Sequence, residues 1–312
     1  MNKSTVIRNA RLVNEGQITE SDVLLKNGRI ERIANYLQAP DGAEVVDARG
    51  RHLLPGMIDD QVHFREPGLT HKGDFYSESR AAIAGGVTSY MEMPNSKPPT
   101  TNAEQLEWKY ARAAQTSAAN YAFYFGATTD NIENLRAIDQ STTCGVKVFM
   151  GASTGNMLVD DESTLAAIFR DSPVLIATHC ESTPMIMANI KQAVEKYGKN
   201  IPVTEHANIR SAEACLASSE LAVALANKYQ AQLHVLHIST ARELDLFEPG
   251  PVTGKNITAE ACVHFLHFDD SQYGQHGNLI KCNPAIKSAA DQAGLIAAIN
   301  DGRLDIIATD HA

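Results

Sequence analysis

"GMIDDQVHFREPG", residues 56–68, is the stretch on which the fold turns. An apolar lead-in, Met57 and Ile58, runs into Asp60, Gln61, His63, Arg65 and Glu66, a set too polar for an ordinary buried strand. Residues two apart in a strand share a face, so Gln61, His63 and Arg65 are expected to project together and Asp60 to point away from them. The texture of the chain also changes here, from short β-rich runs before it to alternating strand-like and helical runs after it.

Toward the N-terminus lie "TVIRNARLV", "SDVLLKNGRIERIA" and "AEVVDARGRHLL". "KNGR" places Asn-Gly between alternating segments, a hairpin signal. Residues 1–55 therefore read as the N-terminal part of a small β domain, a β-sandwich. So few short strands make a poor core alone, and the remaining strands are expected from a C-terminal segment missing here.

Toward the C-terminus, "GMIDDQVHF", "VTSYMEM", "YAFYFGAT", "CGVKVFMG", "PVLIATHCE", "QLHVLHIS", "ITAEACVHFLHF" and "LDIIATDHA" alternate with Ala-, Leu-, Glu- and Lys-rich helical patterns such as "TNAEQLEWKYARAAQ" and "SAEACLASSELAVALANKYQ". Buried strands alternating with helices imply parallel βαβ units, and eight of them over about 250 residues is the size of a (β/α)8 TIM-type barrel. This α/β barrel would occupy residues 56–312, with the chain ending just after strand eight. A doubly wound open sheet is the competing architecture.

Composition bounds the chemistry. In 312 residues, 44% are hydrophobic and 21% charged, as in a globular protein. The net charge of −10 without a basic run argues against nucleic acid and for a small-molecule substrate. No signal-like or membrane-spanning apolar stretch occurs, so the expected home is cytoplasmic. Five cysteines without a C-x-x-C pair read as reduced and structural. Cys180, the residue after His179, would face away from it in a strand and is disfavoured as a nucleophile.

In a barrel of this kind, chemistry sits at the C-terminal ends of the strands. His63 and Arg65 end the first run, Glu92 and Asn95 the second; Lys147 lies in the fourth; His179, His237 and Asp310 end the fifth, sixth and eighth. Histidines and a carboxylate on separate strands suit a catalytic divalent metal such as zinc. His234, three residues before His237, should face the other side and be structural; His264 and His267 stand in the same relation in the seventh run, and neither is favoured as a ligand. His71 and His206 read as solvent-facing or local hydrogen-bonders. Lys147, between Val146 and Val148, either snorkels to a wet rim or is desolvated into a neutral amine; composition alone favours snorkelling. "GASTGN", residues 151–156, could bind an anion through its N–H groups, but a plain connection is the simpler reading.

Taken in order, these segments resemble the dihydroorotases of the amidohydrolase superfamily. "PGMIDDQVHFREPG" is similar to the family's first-strand signature, His-x-His-x-Arg then Glu-Pro-Gly; "GGVTSYMEMPNSKPPTT", "THCE", "LHIST", "NPAIK" and "ATDHA" resemble its later motifs. The resemblance implies reversible cyclisation of N-carbamoyl-L-aspartate to dihydroorotate by metal-activated water. It implies one or two zinc ions bridged by a carboxylated Lys147, with His179 and His237 on one and His63 and Asp310 on the other. Asp310 would also move the proton, and Arg65, Asn95 and Asn283 would hold the substrate carboxylate. Arg210 and Glu213 resemble a further family element. A homodimer and association with a transcarbamoylase are the implied assemblies. Hydantoinases and allantoinases look similar elsewhere but usually lack an arginine at Arg65. One residue departs from the pattern: Gln61 stands where the first histidine of His-x-His would be. Gln61 could ligate through its oxygen, water could replace it, or a single metal could remain; a silent dihydroorotase-like scaffold is the extreme case.

Overall fold

The computed structural model describes residues 4–151 and 157–312, so the anion-loop reading lies, apart from Gly151, outside the described residues. The chain divides into two compact units, Met1–Met57 and Ile58–Ala312. In the first, β1 (Ser4–Asn14), β2 (Gln17–Lys26), β3 (Arg29–Ala34), β4 (Glu44–Asp47) and β5 (His52–Leu53) form one sheet, ordered β3-β2-β1-β4 with β5 also on β1. Both hairpins turn on two residues of positive φ, Glu15-Gly16 and Asn27-Gly28. That conformation twists with the strands it joins, which is the physics behind the Asn-Gly signal. Asp22, 4% exposed, accepts the N–H groups of Asn9 and Leu37 at 3.0 Å each, which makes burial of its carboxylate tolerable.

In the second unit, β6 (Met57–Val62), β7 (Val87–Glu92), β8 (Asn120–Gly126), β9 (Gly145–Phe149), β10 (Ile176–His179), β11 (Leu233–Val235), β12 (Ile257–Cys262) and β13 (Ile306–Ala308) pair in sequence order. A parallel bridge from Val62 to His311 joins the two ends, with the His63 N–H donating to His311 O at 2.6 Å. The result is a nearly closed eight-stranded parallel barrel. In its middle the strands are covered on both sides: every residue of β9 is buried. Val146 and Val148 pack in one cluster with Leu165, Ile168 and Phe169 of the helix Glu162–Asp171. Lys147 alternates with them and so points into the barrel.

Side-chain caps start the helices. Asp74, Asn102, Asp161, Ser211 and Ser288 each accept an N–H from the first turn of the helix that follows. A cap of this kind stabilises by about 1 kcal/mol.

Two readings need correction. No α-helix separates β11 from β12, only the 3-10 turn Ala241–Leu246; Pro249 and Pro251 follow, where a continuing helix would lose its N–H bonds. And "ITAEACVHFLHF" is not one strand: β12 stops at Cys262 and a helix, Val263–His267, begins. Among the described residues no helix is long and apolar enough to cross a membrane.

Gly68 fixes the loop that follows β6. Its φ is +80°, and a Cβ there would lie 2.1 Å from the Lys97 carbonyl oxygen. Gly68→Ala is expected to destabilise by about 2–4 kcal/mol through backbone strain and overpacking, read as a lowered urea midpoint at unchanged m-value.

Candidate active site

Past the C-terminal ends of the barrel strands opens a cavity of about 470 Å³. Its wall contains His63, Arg65, Asn95, Lys147, His179, His237, Asn283 and Asp310, and Gln61 beside them. The residues singled out from sequence as candidate ligands and carboxylate binders thus share one space. Strand alternation does not put all of them there. Arg65, His237 and Asp310 lie beyond the last residues of β6, β11 and β13 and have φ values of 67°, 42° and 51°. Each stands where the chain leaves its strand through a left-handed residue, a conformation that costs a non-glycine free energy and concentrates at functional sites. Arg65 therefore meets Gln61 and His63 through a turn, not through the i, i+2 rule.

On one side of the cavity, His63 Nδ1 is 2.7 Å from Asn95 Oδ1, and His63 Nε2 is 3.1 Å from Asp310 Oδ1. The bond to Asn95 fixes the ring with its proton on Nδ1, leaving the Nε2 lone pair toward Asp310. Burial lowers the His63 pKa, against the pull of Asp310. Burial raises the pKa of Asp310, but where a proton stands on His63 Nε2 its bond to the carboxylate, with the charge of Lys147, keeps that pKa below the usual carboxylate value. A neutral imidazole lone pair and a carboxylate at this distance call for a cation between them. On the other side, His179 Nδ1 and His237 Nε2 are 2.9 Å apart, and His237 Nδ1 is buried without a hydrogen-bond partner. Burial and the neighbouring His179 hold the His237 pKa well below 6.5. Both donor pairs are close to the roughly 3.3 Å edge of a tetrahedral zinc site. The donor set fits a divalent metal.

Lys147 is 1% exposed, so the snorkelling favoured by composition is not what happens. Desolvation brings its ammonium down to about 8 despite Asp310 and Glu260 nearby. Gln61 is engaged at both ends: Nε2 donates to Asp310 Oδ1 at 3.2 Å, and Oε1 faces Cys262 Sγ at 3.6 Å. Behind His179, Glu181 Oε2 lies 3.1 Å from its Nε2 and pairs with Arg210, which gives one half of the Arg210/Glu213 element a place beside the site. Glu213 instead pairs with Arg242 at an exposed helix start. Cys180 is buried, its thiol pushed up to about 11 by desolvation, in keeping with a structural role.

Sequence reasoning missed His264. It lines the cavity with Nε2 buried and unpartnered, because the chain has already turned into a helix and strand periodicity no longer applies. Phe268, Leu279, Ile280 and Ile286, an apolar side of the wall, carried no signal either. Asp60, read as facing away from Gln61 and His63, is not on the cavity wall. Asp60 Oδ2 reaches His234 Nε2 at 3.3 Å, where Glu260 Oε2 is also within 3.2 Å. These three are the closest group of metal-type side chains among the described residues, yet none lines the cavity. Although burial opposes it, bonding to Asp60 and Glu260 pushes His234 up to about 10, so a proton supplies the cation there.

Residues 50–150 match the Dihydro-orotase-like family. The chain is 32% identical to a dihydroorotase of Listeria welshimeri, over 98% of its own length and 71% of the relative's. It is 30% identical to a dihydroorotase of Pelobacter propionicus, over 98% and 72%. An allantoinase of Deinococcus radiodurans is 29% identical, over 100% and 70%. Among solved structures, the L-hydantoinase (dihydropyrimidinase) of Arthrobacter aurescens superposes with a TM-score of 0.93 at 26% identity, covering 100% of this chain and 69% of that one. Barrel, cavity and relatives agree: the chain belongs to the dihydroorotase-like cyclic amidohydrolases of the amidohydrolase superfamily.

Proposed function

We propose that this cyclic amidohydrolase is a metal-dependent dihydroorotase, acting on the six-membered cyclic amide whose ring bears a carboxylate. The observation that carries the reading is Arg65, a guanidinium in the wall of the same cavity as His63, Lys147, His179, His237 and Asp310. A neutral ring would offer the guanidinium no anion beyond its neighbours Asp310 and Glu92, whereas a carboxylate can take two parallel N–H bonds from it. Asn95, its Oδ1 occupied by His63, has its amide N–H groups for the same carboxylate, and Asn283 stands on the cavity wall beside them.

His63 and Asp310, His179 and His237, and Lys147 as a carbamate would hold one or two zinc ions. When bound, the metal supplies Lewis acidity at the scissile carbonyl and a water of lowered pKa. Asp310, a carboxylate at neutral pH, is the proton acceptor in the hydrolytic direction and returns the proton to the ring nitrogen. Lys147 has a neutral amine in reach of physiological pH, which is the form that takes up carbon dioxide.

The second reading, a hydantoinase- or allantoinase-type activity, draws on the apolar side of the wall and on the relatives so named. A substrate panel separates the two. Dihydroorotate should be hydrolysed with kcat/KM at least about tenfold above hydantoin or allantoin, activity should be lost on chelation, and zinc should restore it. Preference for the neutral rings would support the second reading. A protein that takes up no zinc and turns over none of these compounds would be a scaffold.

A further inference from the structure

The three left-handed residues of the cavity share a feature that strand alternation does not explain. Each of their turns lies against a buried carboxylate on the neighbouring strand, and two of the three are hydrogen-bonded to it. Glu260 of β12 accepts the His237 N–H on Oε1 at 2.9 Å. Glu92, the last residue of β7, stands near enough to Arg65 for its charge to favour the guanidinium. Asp59 of β6 accepts the N–H and the hydroxyl of Thr309, the residue before Asp310, at 3.2 and 2.5 Å. None of the three carboxylates lines the cavity, so none can touch a substrate there.

Taking the roles of His237, Arg65 and Asp310 from the reading above, we propose that Glu260, Glu92 and Asp59 are positioning residues that hold these turns and so aim the three side chains into the cavity.

A non-glycine residue stays left-handed only where its surroundings over-determine it. A carboxyl oxygen can accept a backbone N–H from a neighbouring strand without entering the site. Burying a carboxylate is unfavourable unless it is answered, and here each one is. His234 Nε2 lies 3.2 Å from Glu260, with its Nδ1 2.8 Å from Thr258 Oγ1 and Asp60 3.3 Å away. Lys109, itself fully buried, pairs with Glu92 and donates to Met93 O at 3.1 Å. Asp59 takes the Gln61 N–H at 3.3 Å in addition to Thr309. His234 and Lys109, two buried cations with no place in the chemistry, thereby acquire a reason to exist.

Two variants of Glu260 isolate the bond. In Glu260→Gln the amide oxygen can still accept the His237 N–H, and its NH2 can donate to a neutral His234; Glu260→Leu has no acceptor. Hydrogen exchange at the His237 amide reads the turn without reference to metal. In the leucine variant it should accelerate about tenfold or more, and zinc affinity should fall about 10- to 100-fold, while the glutamine variant remains within about threefold of wild type on both. Glu92 is tested with its partner removed, so that no ammonium is stranded. E92L/K109M should raise KM for dihydroorotate about tenfold with zinc affinity and kcat unchanged, and E92Q/K109M should restore KM. A fold defect would move KM and kcat together and spare neither conservative variant. Wild-type exchange at His237 in Glu260→Leu, or a glutamine variant as impaired as the leucine one, overturns the proposal. If exchange behaves as expected but the wild-type protein takes up no zinc, the positioning role stands and the metal-hydrolase reading falls.

Discussion

Arg65→Met is expected to lower kcat/KM for dihydroorotate by about two to three orders of magnitude and to leave the slow turnover of hydantoin within about threefold. Hydrogen bonds to a charged partner are worth about 1.5–3 kcal/mol each, and a guanidinium can give a carboxylate two of them. Methionine keeps most of the side chain's bulk and removes both bonds. The substrate carboxylate is not the reacting group, so the loss should fall mainly on KM. Arg65→Lys should recover only part of it, since an ammonium is a point charge and lacks the planar fork. Steady-state kinetics on the two substrates give the answer. Equal losses on both would mean that Arg65 maintains the cavity without recognising the anion, and would remove the main support for a dihydroorotase over a hydantoinase.

The barrel was legible because its signal is repetitive. Eight apolar runs spaced by helical patterns constrain one another, and an error in one, such as the missing helix between β11 and β12, does not change the architecture. The site was legible through chemistry that a core has no use for. Imidazoles, a lysine among valines and an aspartate at the end of an apolar run converge on one cavity because parallel barrel strands all end on the same face.

What alternation could not supply is the geometry just past the strand ends. Nothing local marks Arg65, His237 or Asp310 as left-handed; none is glycine, and the carboxylates beside their turns, Glu92, Glu260 and Asp59, lie on other strands. The same non-locality hid the partnership of Asp60 and His234, which lie 174 positions apart in sequence and were each assigned to the face away from the chemistry. His264 was hidden by a boundary error of a few residues, the commonest fault when secondary structure is read from sequence. Gln61 was recognised as a departure, but only the structure gives its amide two partners, Asp310 and Cys262, with its oxygen turned away from the Asp310 carboxylate.

Lys147→Met should abolish turnover, to below about a thousandth of wild type, and at the same time make the metal-free protein more stable. The two effects have one cause. Lys147 is 1% exposed, and desolvation brings its pKa from 10.5 down to about 8. Below pH 8 the lysine is protonated in both folded and unfolded chains, and the folded state bears the full penalty of a buried ammonium. Between 8 and 10.5 the unfolded chain binds a proton that the folded chain does not, so stability rises with pH. Above 10.5 both are neutral and the penalty is gone. A shift of this size corresponds to about 3 kcal/mol. At pH 7, metal-free Lys147→Met should therefore exceed wild type by about that amount in urea unfolding, and the advantage should shrink from pH 8 upward and vanish near 10.5. A variant that is less stable by a pH-independent margin would show that the ammonium is well paired where it lies. In that case the neutral amine needed to take up carbon dioxide would not be accessible, and Lys147 would be a buried cation of the same kind as Lys109.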